Sequence, residues 1–216
     1  MTKALSTKEF KKAALNKDTI VVDTREKLIF SQAFIPGSIF IGLENEKFAE
    51  WAKMVITPHT NTLIVADIGK ESVALQQLTD AGFVVSGFLN GGFDEWKNAG
   101  EPVDMVIDIE ADEFAMDIPF DEKMVILDVR TEEEYNKAHV TEAVSIPLDQ
   151  LVDSAISSNL EEEDNHYIYC DGGYRSLIAA SLLKKEGLHN VRNILGGFST
   201  IKKEEKIPIE KAASKE

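Results

Sequence analysis

The chain has 216 residues, with 38 acidic against 23 basic side chains and a net charge of −15. Its hydrophobic content of 44% suits globular cores and excludes a disordered chain, and no apolar run reaches the roughly 18 residues of a membrane span. The acidic balance argues against nucleic acid as a partner, because neutralising phosphates needs clustered Lys and Arg.

The opening Met-Thr-Lys-Ala-Leu-Ser-Thr-Lys-Glu-Phe lacks the apolar core of a secretion signal, so a cytoplasmic location is expected. Within it, Ser6 followed by Glu9 fits a capping box at a helix start. Ile20-Val21-Val22 is a short β-branched apolar run, the pattern of a strand covered on both faces, and it leads into Asp23-x-Arg25. Leu63-Ile64-Val65 is a second strand of this kind, and Gly91-Gly92-Phe93 follows it. The series then recurs. Met124–Leu127 leads into Asp128-x-Arg130 at an offset of 105. At that offset Ala33 meets Ala138, Leu43 meets Leu148, Gly82 meets Gly187, and Gly91-Gly92-Phe93 meets Gly196-Gly197-Phe198. A period this long is a duplicated domain and not a solenoid repeat. Two copies are expected, 1–103 and 104–209, followed by a charged tail, 210–216.

In the second copy Thr131 and Glu134 fit another capping box, Tyr167-Ile168-Tyr169 is a strand, and Leu177–Lys185 reads as an amphipathic helix stopped by Gly187. Alternating strands and helices imply an α/β fold: two tandem domains, each a parallel sheet with helices on both faces. The ligand site of such a sheet lies beyond the carboxyl ends of its strands. The acidic run Glu161-Glu162-Glu163-Asp164 is expected to be a solvated loop.

Cys170 is the only cysteine, which excludes an intramolecular disulfide and a cysteine-based zinc cluster. The histidines His59, His139, His166 and His189 have no metal-ligand spacing, so no metal site is expected. A lone cysteine is commonly a small buried hydrophobe. Here it follows a strand directly and precedes Asp171-Gly172-Gly173-Tyr174-Arg175-Ser176 and a helix. Two glycines let the backbone turn tightly and aim several N–H groups at one point. The helix amino terminus and the Arg175 cation add positive charge. All three favour a thiolate, the nucleophilic form.

Cys170-x-x-Gly173-x-Arg175-Ser176, with Asp128-x-Arg130 before it and Gly196-Gly197-Phe198 after it, resembles the rhodanese family of sulfurtransferases. Gly91–Trp96 is similar to the family's closing motif, and Ala33–Ser38 echoes its Gly-His-Ile-Pro-Gly-Ala motif. The second copy departs from that motif at Ala138-His139-Val140-Thr141-Glu142-Ala143. The resemblance covers nearly the whole chain as tandem rhodanese domains. It implies transfer of a sulfane sulfur from thiosulfate or a low-molecular-weight persulfide to a thiol or cyanide acceptor, through a Cys170 persulfide, without a cofactor. Cys170 and Arg175 are then catalytic, and Asp171, Gly172, Gly173, Tyr174 and Ser176 line the substrate loop. Asp128 and Arg130 are expected as a buried supporting pair, and His139 as structural.

In the first copy, Ala66 stands against Cys170 and Glu71 against Arg175 at an offset of 104, which implies an inactive domain. The order of inactive and active copies is similar to the carboxyl-terminal part of fusions with a metallo-β-lactamase-type persulfide dioxygenase. Such a fused or associated domain is therefore an expected partner. Two alternatives stay open, a non-catalytic binding module and a cysteine-based phosphatase or arsenate reductase. Four residues between Cys170 and Arg175, where phosphatase loops have five, speak against the latter.

Overall fold

The structure, a computed structural model, describes residues 3–57 and 59–212. It divides into two compact units, 1–105 and 106–216. The first runs β1 (Lys3–Leu5), α1 (Thr7–Ala14), β2 (Thr19–Asp23), α2 (Lys27–Gln32), β3 (Ile39–Phe40), α3 (Phe48–Val55), β4 (Asn61–Val65), α4 (Glu71–Asp80), β5 (Val84–Leu89) and α5 (Gly92–Asn98). Its sheet is parallel throughout, in the order β1-β5-β4-β2-β3.

The second unit opens with β6 (Ile107–Ile109), α6 (Ala111–Asp117), β7 (Met124–Asp128), α7 (Glu132–Lys137), β8 (Ala138–Val140) and β9 (Val144–Ser145). It continues with α8 (Leu148–Leu151), α9 (Ser154–Ser157), β10 (Asn165–Tyr169), α10 (Tyr174–Lys185), β11 (Val191–Ile194), α11 (Phe198–Ile201) and β12 (Ile209–Lys211). Its parallel sheet has the equivalent order, β6-β11-β10-β7-β9. The duplication read from sequence is thus a duplication of topology.

Both sheets are flanked by helices, which is why the central strands are continuously apolar. Ile126, Tyr167 and Tyr169 join one buried cluster with Phe114, Phe198 and Ile201, while Leu127 and Ile168 are buried outside it. In the first unit Val21, Leu63 and Val65 pack with Phe10, Phe93 and Trp96 in the same manner. Capping boxes at Ser6–Glu9 and Thr131–Glu134 form with both reciprocal bonds. Helix α10 is not amphipathic: Ser176 through Leu183 are all buried.

Two local features differ from expectation. Glu210 and Lys211, read as tail, pair antiparallel with His139 and Ala138 of β8; residues 213–216 lie outside the described residues. The departure at Ala138–Ala143 keeps the turn of the first copy. Glu142 adopts φ 66°, where Gly37 has φ 80°. A non-glycine residue accepts the left-handed region there at some conformational cost.

His166, on the central strand β10, is fully buried and neither ring nitrogen has a hydrogen-bond partner among the described residues. Burial pushes its pKa below the ordinary 6.5, Asp164 offsetting only part of the effect. The sign follows from linkage. The unfolded chain takes up a proton that the folded chain resists, so stability is full above about pH 6.5 and falls as the pH drops below it. Urea midpoints at about pH 8 and about pH 5.5 should show wild type losing stability relative to His166→Leu. Parallel changes in the two proteins would assign the acid sensitivity to another group.

Candidate functional site

Tyr169, the last residue of β10, pairs with Asp128, the last residue of β7, and Cys170 follows at the carboxyl edge of the sheet. The side chain is buried, with 1% of its surface exposed. Gly173 takes φ 85° as the cap of α10, and its N–H donates to Cys170 Sγ at 3.1 Å. The sulfur therefore sits at the amino terminus of a 12-residue helix, where unpaired amides and the helix dipole favour negative charge. Gly172 is exposed, has no positive φ, and would leave an added Cβ with nothing within 4 Å. Only one of the two loop glycines is required by the turn.

The other wall is the turn into α11. The Phe198 N–H donates to the Cys170 carbonyl at 2.6 Å, and the Ser199 N–H to the Asp171 carbonyl at 3.0 Å. Gly197 makes this approach possible: at φ 56° and ψ −145°, an added Cβ would fall 2.2 Å from the Cys170 carbonyl oxygen. Asp171 is exposed, and its carboxylate accepts from the Ser199 hydroxyl at 3.4 Å.

Arg175 is not a free cation. Its two terminal nitrogens donate to the two carboxylate oxygens of Glu134, at 2.6 and 2.7 Å. Glu134 is at the same time the third residue of α7 and closes the Thr131 capping box. The Arg175 bond, with the Thr131 contacts, holds the Glu134 pKa at about 2, and Glu134 in turn raises that of Arg175. Arg175 lies within electrostatic reach of Cys170. The fork-on-fork pair fixes Arg175 in place and cancels most of its net charge. The sequence identified Glu134 only as a capping residue.

Ser176 is fully buried, its hydroxyl 3.6 Å from Cys170 Sγ and 2.7 Å from Asn193 Oδ1. Asn193 in turn donates to Asp108 Oδ1 at 2.7 Å. Neither was singled out in the sequence, because the strand order, and no motif, brings β6 and β11 to the site. Tyr174 opens α10 and is half-buried.

Asp128 and Arg130 form a buried pair beside the loop. Arg130 Nε and a terminal nitrogen reach Asp128 at 2.9 and 2.5 Å, and that terminal nitrogen also donates to the Ala138 carbonyl at 2.7 Å. The guanidinium lies 4.0 Å from the Phe198 ring centroid and 5.4 Å from that of Tyr169. His139 stacks on Tyr135 at 3.7 Å and faces Glu210 at 3.5 Å.

The first unit repeats the frame without the cysteine. Val65 pairs with Asp23 as Tyr169 pairs with Asp128, so Ala66 holds the place of Cys170. A Cβ on Gly92 would lie 3.0 Å from the Ala66 carbonyl, the counterpart of Gly197 against Cys170. Glu71, at the Arg175 position, accepts from the Gly69 N–H at 2.8 Å. This amide corresponds to the one that reaches the sulfur in the second unit. A cavity of about 250 Å³ remains there, lined among others by Ile29, Ala66, Ile68 and Phe93.

The rhodanese-like domain profile matches the chain twice, over residues 6–99 and 110–204. A putative sulfur carrier protein of Bacillus subtilis, YrkF, is 37% identical over 102 residues, 47% of this chain and 54% of that protein. A chloroplastic thiosulfate sulfurtransferase of Arabidopsis thaliana is 34% identical over 83 residues, 34% of this chain and 69% of that protein. The solved rhodanese-like domain of the Anabaena Alr3790 protein is 31% identical, with a TM-score of 0.46 over 52% of this chain and 85% of that one. The chain thus spans about half the length of the sulfur carrier relative. No helix among the described residues is long and apolar enough to cross a membrane.

The two glycines of the site should respond oppositely to alanine. Gly197→Ala forces a side chain into a glycine-only conformation and against the Cys170 carbonyl, at a cost of about 2–5 kcal/mol. Gly172→Ala should stay within about 0.5 kcal/mol of wild type. Denaturant titration of both variants checks this; equal stabilities would remove Gly197 as the residue that lets the two loops meet.

Proposed function

The chain belongs to the rhodanese-like family, and from that premise we propose that its second unit is a sulfurtransferase carrying sulfane sulfur on Cys170. The observation that carries the reading is the placement of Cys170 Sγ, 3.1 Å from the Gly173 N–H at the head of α10. The matches to a sulfur carrier and a thiosulfate sulfurtransferase support the same class.

The reaction is a double displacement. The Cys170 thiolate attacks the outer sulfur of the donor. The S–S bond of the donor breaks and its electron pair leaves with the inner fragment, as sulfite from thiosulfate or as a thiolate from a persulfide. Cys170 now carries the sulfur as a persulfide anion. An acceptor thiolate or cyanide attacks that terminal sulfur, and the thiolate of Cys170 is restored. The loop amides and the helix terminus stabilise the negative charge on sulfur at both stages.

Donor preference follows from charge. With Arg175 held by Glu134 and Asp171 exposed at the loop, the site offers little net positive charge to a dianion. A singly charged persulfide of a small thiol suits it better than thiosulfate. A persulfide dioxygenase-type domain, fused or associated, is the partner we propose to share such a donor. The first unit serves as a non-catalytic domain, because Ala66 supplies no nucleophile and Glu71 already occupies the loop amide.

Mass spectrometry after incubation with a donor should show one added sulfur on wild type and none on Cys170→Ser. Ala66→Cys should add no second sulfur in the first unit, and stable persulfide at that position would refute the reading of Glu71. Glu134→Gln keeps the capping box, which Gln also forms, but removes one negative charge. Sulfur uptake from thiosulfate should then rise relative to uptake from cysteine persulfide, a donor of single net negative charge, by about tenfold, equivalent to about 1.4 kcal/mol. An unchanged donor ratio would show that the Glu134 charge does not set donor preference.

A further inference from the structure

The chain Asp108–Asn193–Ser176, half-buried at Asp108 and buried at the other two residues, ends at the Cys170 sulfur, and its proton positions follow from donor chemistry. Asp108 is a carboxylate and only accepts, so the amide nitrogen of Asn193 faces it and donates at 2.7 Å. The Asn193 carbonyl oxygen is thereby turned to Ser176, at 2.7 Å. Two oxygens that close must share a proton, and Asn193 Oδ1 has none. The proton is therefore that of the Ser176 hydroxyl, which has only one. The longer contact from Ser176 to Cys170 Sγ, 3.6 Å, is left to a lone pair.

We propose that Asn193, oriented by Asp108, is a positioning residue that holds the Ser176 proton away from Cys170 and so favours the sulfur-loaded cysteine over the free thiolate. A lone pair facing Sγ opposes negative charge on that atom. To donate to a thiolate, the hydroxyl must rotate and leave the buried Asn193 oxygen unpaired, which is costly. In the persulfide the charge sits mainly on the outer sulfur, and Sγ needs no donor from Ser176. The relay thus raises the energy of the empty carrier more than that of the loaded one. The other groups acting on Sγ are the Gly173 amide and Arg175, the latter tied to Glu134, with Asp171 next in the loop.

The first unit is an internal control. Asp108 pairs with Asn193, and Asn193 with Ile168; in the first sheet Ala4 pairs with Phe88, and Phe88 with Ile64. Ala4 and Phe88 thus stand where Asp108 and Asn193 stand. Ser72, opposite Ser176 in the loop alignment, is exposed. Where there is no sulfur to govern, the polar relay is replaced by apolar residues.

The purpose assigned here rests on the proposed sulfur transfer, but the test reads the thiol alone. Iodoacetamide alkylation of Cys170 is measured against pH for wild type, Asn193→Ala, Asp108→Asn and each combined with Ser176→Ala. An Asn at 108 can accept or donate, so it releases the fixed orientation of Asn193 at almost no change in volume. Both Asn193→Ala and Asp108→Asn should move the half-maximal pH down by about one unit, a tenfold faster reaction at a fixed pH below the midpoint. Adding Ser176→Ala should cancel that gain, while Ser176→Ala alone, which removes the facing lone pair but supplies no donor, should lower the midpoint by at most a few tenths of a unit. An unchanged or raised midpoint in Asp108→Asn, or a gain that survives Ser176→Ala, overturns the proposal. Failure of every donor to add sulfur to wild type would instead overturn the transfer reading, and the alkylation curves would still decide the role of Asn193.

Discussion

A carboxylate and a guanidinium buried side by side at the carboxyl edge of a parallel sheet must satisfy each other completely, and the loops around both sites are built on that demand. Arg130 answers it with bonds to Asp128 and the Ala138 carbonyl, and with its flat face on Phe198. Arg25 does the same with Asp23, the Ala33 carbonyl and Phe93. Such a pair adds little net stability over an apolar replacement, yet removing one partner leaves an uncompensated charge and costs about 3–5 kcal/mol. Its value lies in tying four chain segments to one point. The strand end at Asp128, the turn at Ala138, the strand residue Tyr169 and the helix residue Phe198 are all fixed by Arg130. Cys170 and the Gly197 turn lie between the last two.

Once the frame is fixed, the electrostatics of the site come from short-range donors and not from the charge of the chain as a whole. A net charge of −15 repels anions at long range. Attraction to sulfur has to be local, and the Gly173 amide with the α10 terminus supplies it without adding a mobile cation. The Arg175–Glu134 pair then acts as a rigid wall more than as a source of charge. Because Glu134 stays ionised down to about pH 2, that wall does not change over the range in which thiols titrate.

Much of this was legible in the sequence because it is written in local patterns. The apolar runs ending in Asp-x-Arg, the two capping boxes and the strand–Cys170–Arg175–helix series each lie within a dozen residues. The recurrence of the Asp-x-Arg runs and of Gly-Gly-Phe at one offset exposed the duplication. What escaped depends on pairing across the sheet. Asp108 and Asn193 are 85 residues apart and meet only because β6 lies beside β11. Glu134 carried a strong local signal as a capping residue, and this masked its second role 41 residues away on Arg175. Helix α10 departs from its amphipathic reading for a related reason: Ser176 through Leu183 are buried all round, which depends on the elements packed about it and not on its own residues.

The two copies differ in a way that separates scaffold from chemistry. The Asp-x-Arg pair, its aromatic lid and the close-approach glycine are kept in both, so they cannot owe their presence to a cysteine that only one copy has. Cys170, Arg175, Glu134, Asn193 and Asp108 are all exchanged, for Ala66, Glu71, Ile29, Phe88 and Ala4 at the corresponding positions. Loss of a polar group at four of these positions and reversal of charge at the fifth are hard to ascribe to packing alone, because the frame they line is unchanged. Ile29 is a case in point: it stands on α2 where Glu134 stands on α7, and half of its surface is exposed at 47%. Packing gives no reason to place an isoleucine there. Release from the need to hold an arginine does, since Glu71 stands at the position of Arg175 and a carboxylate at the Ile29 position would have no guanidinium to hold.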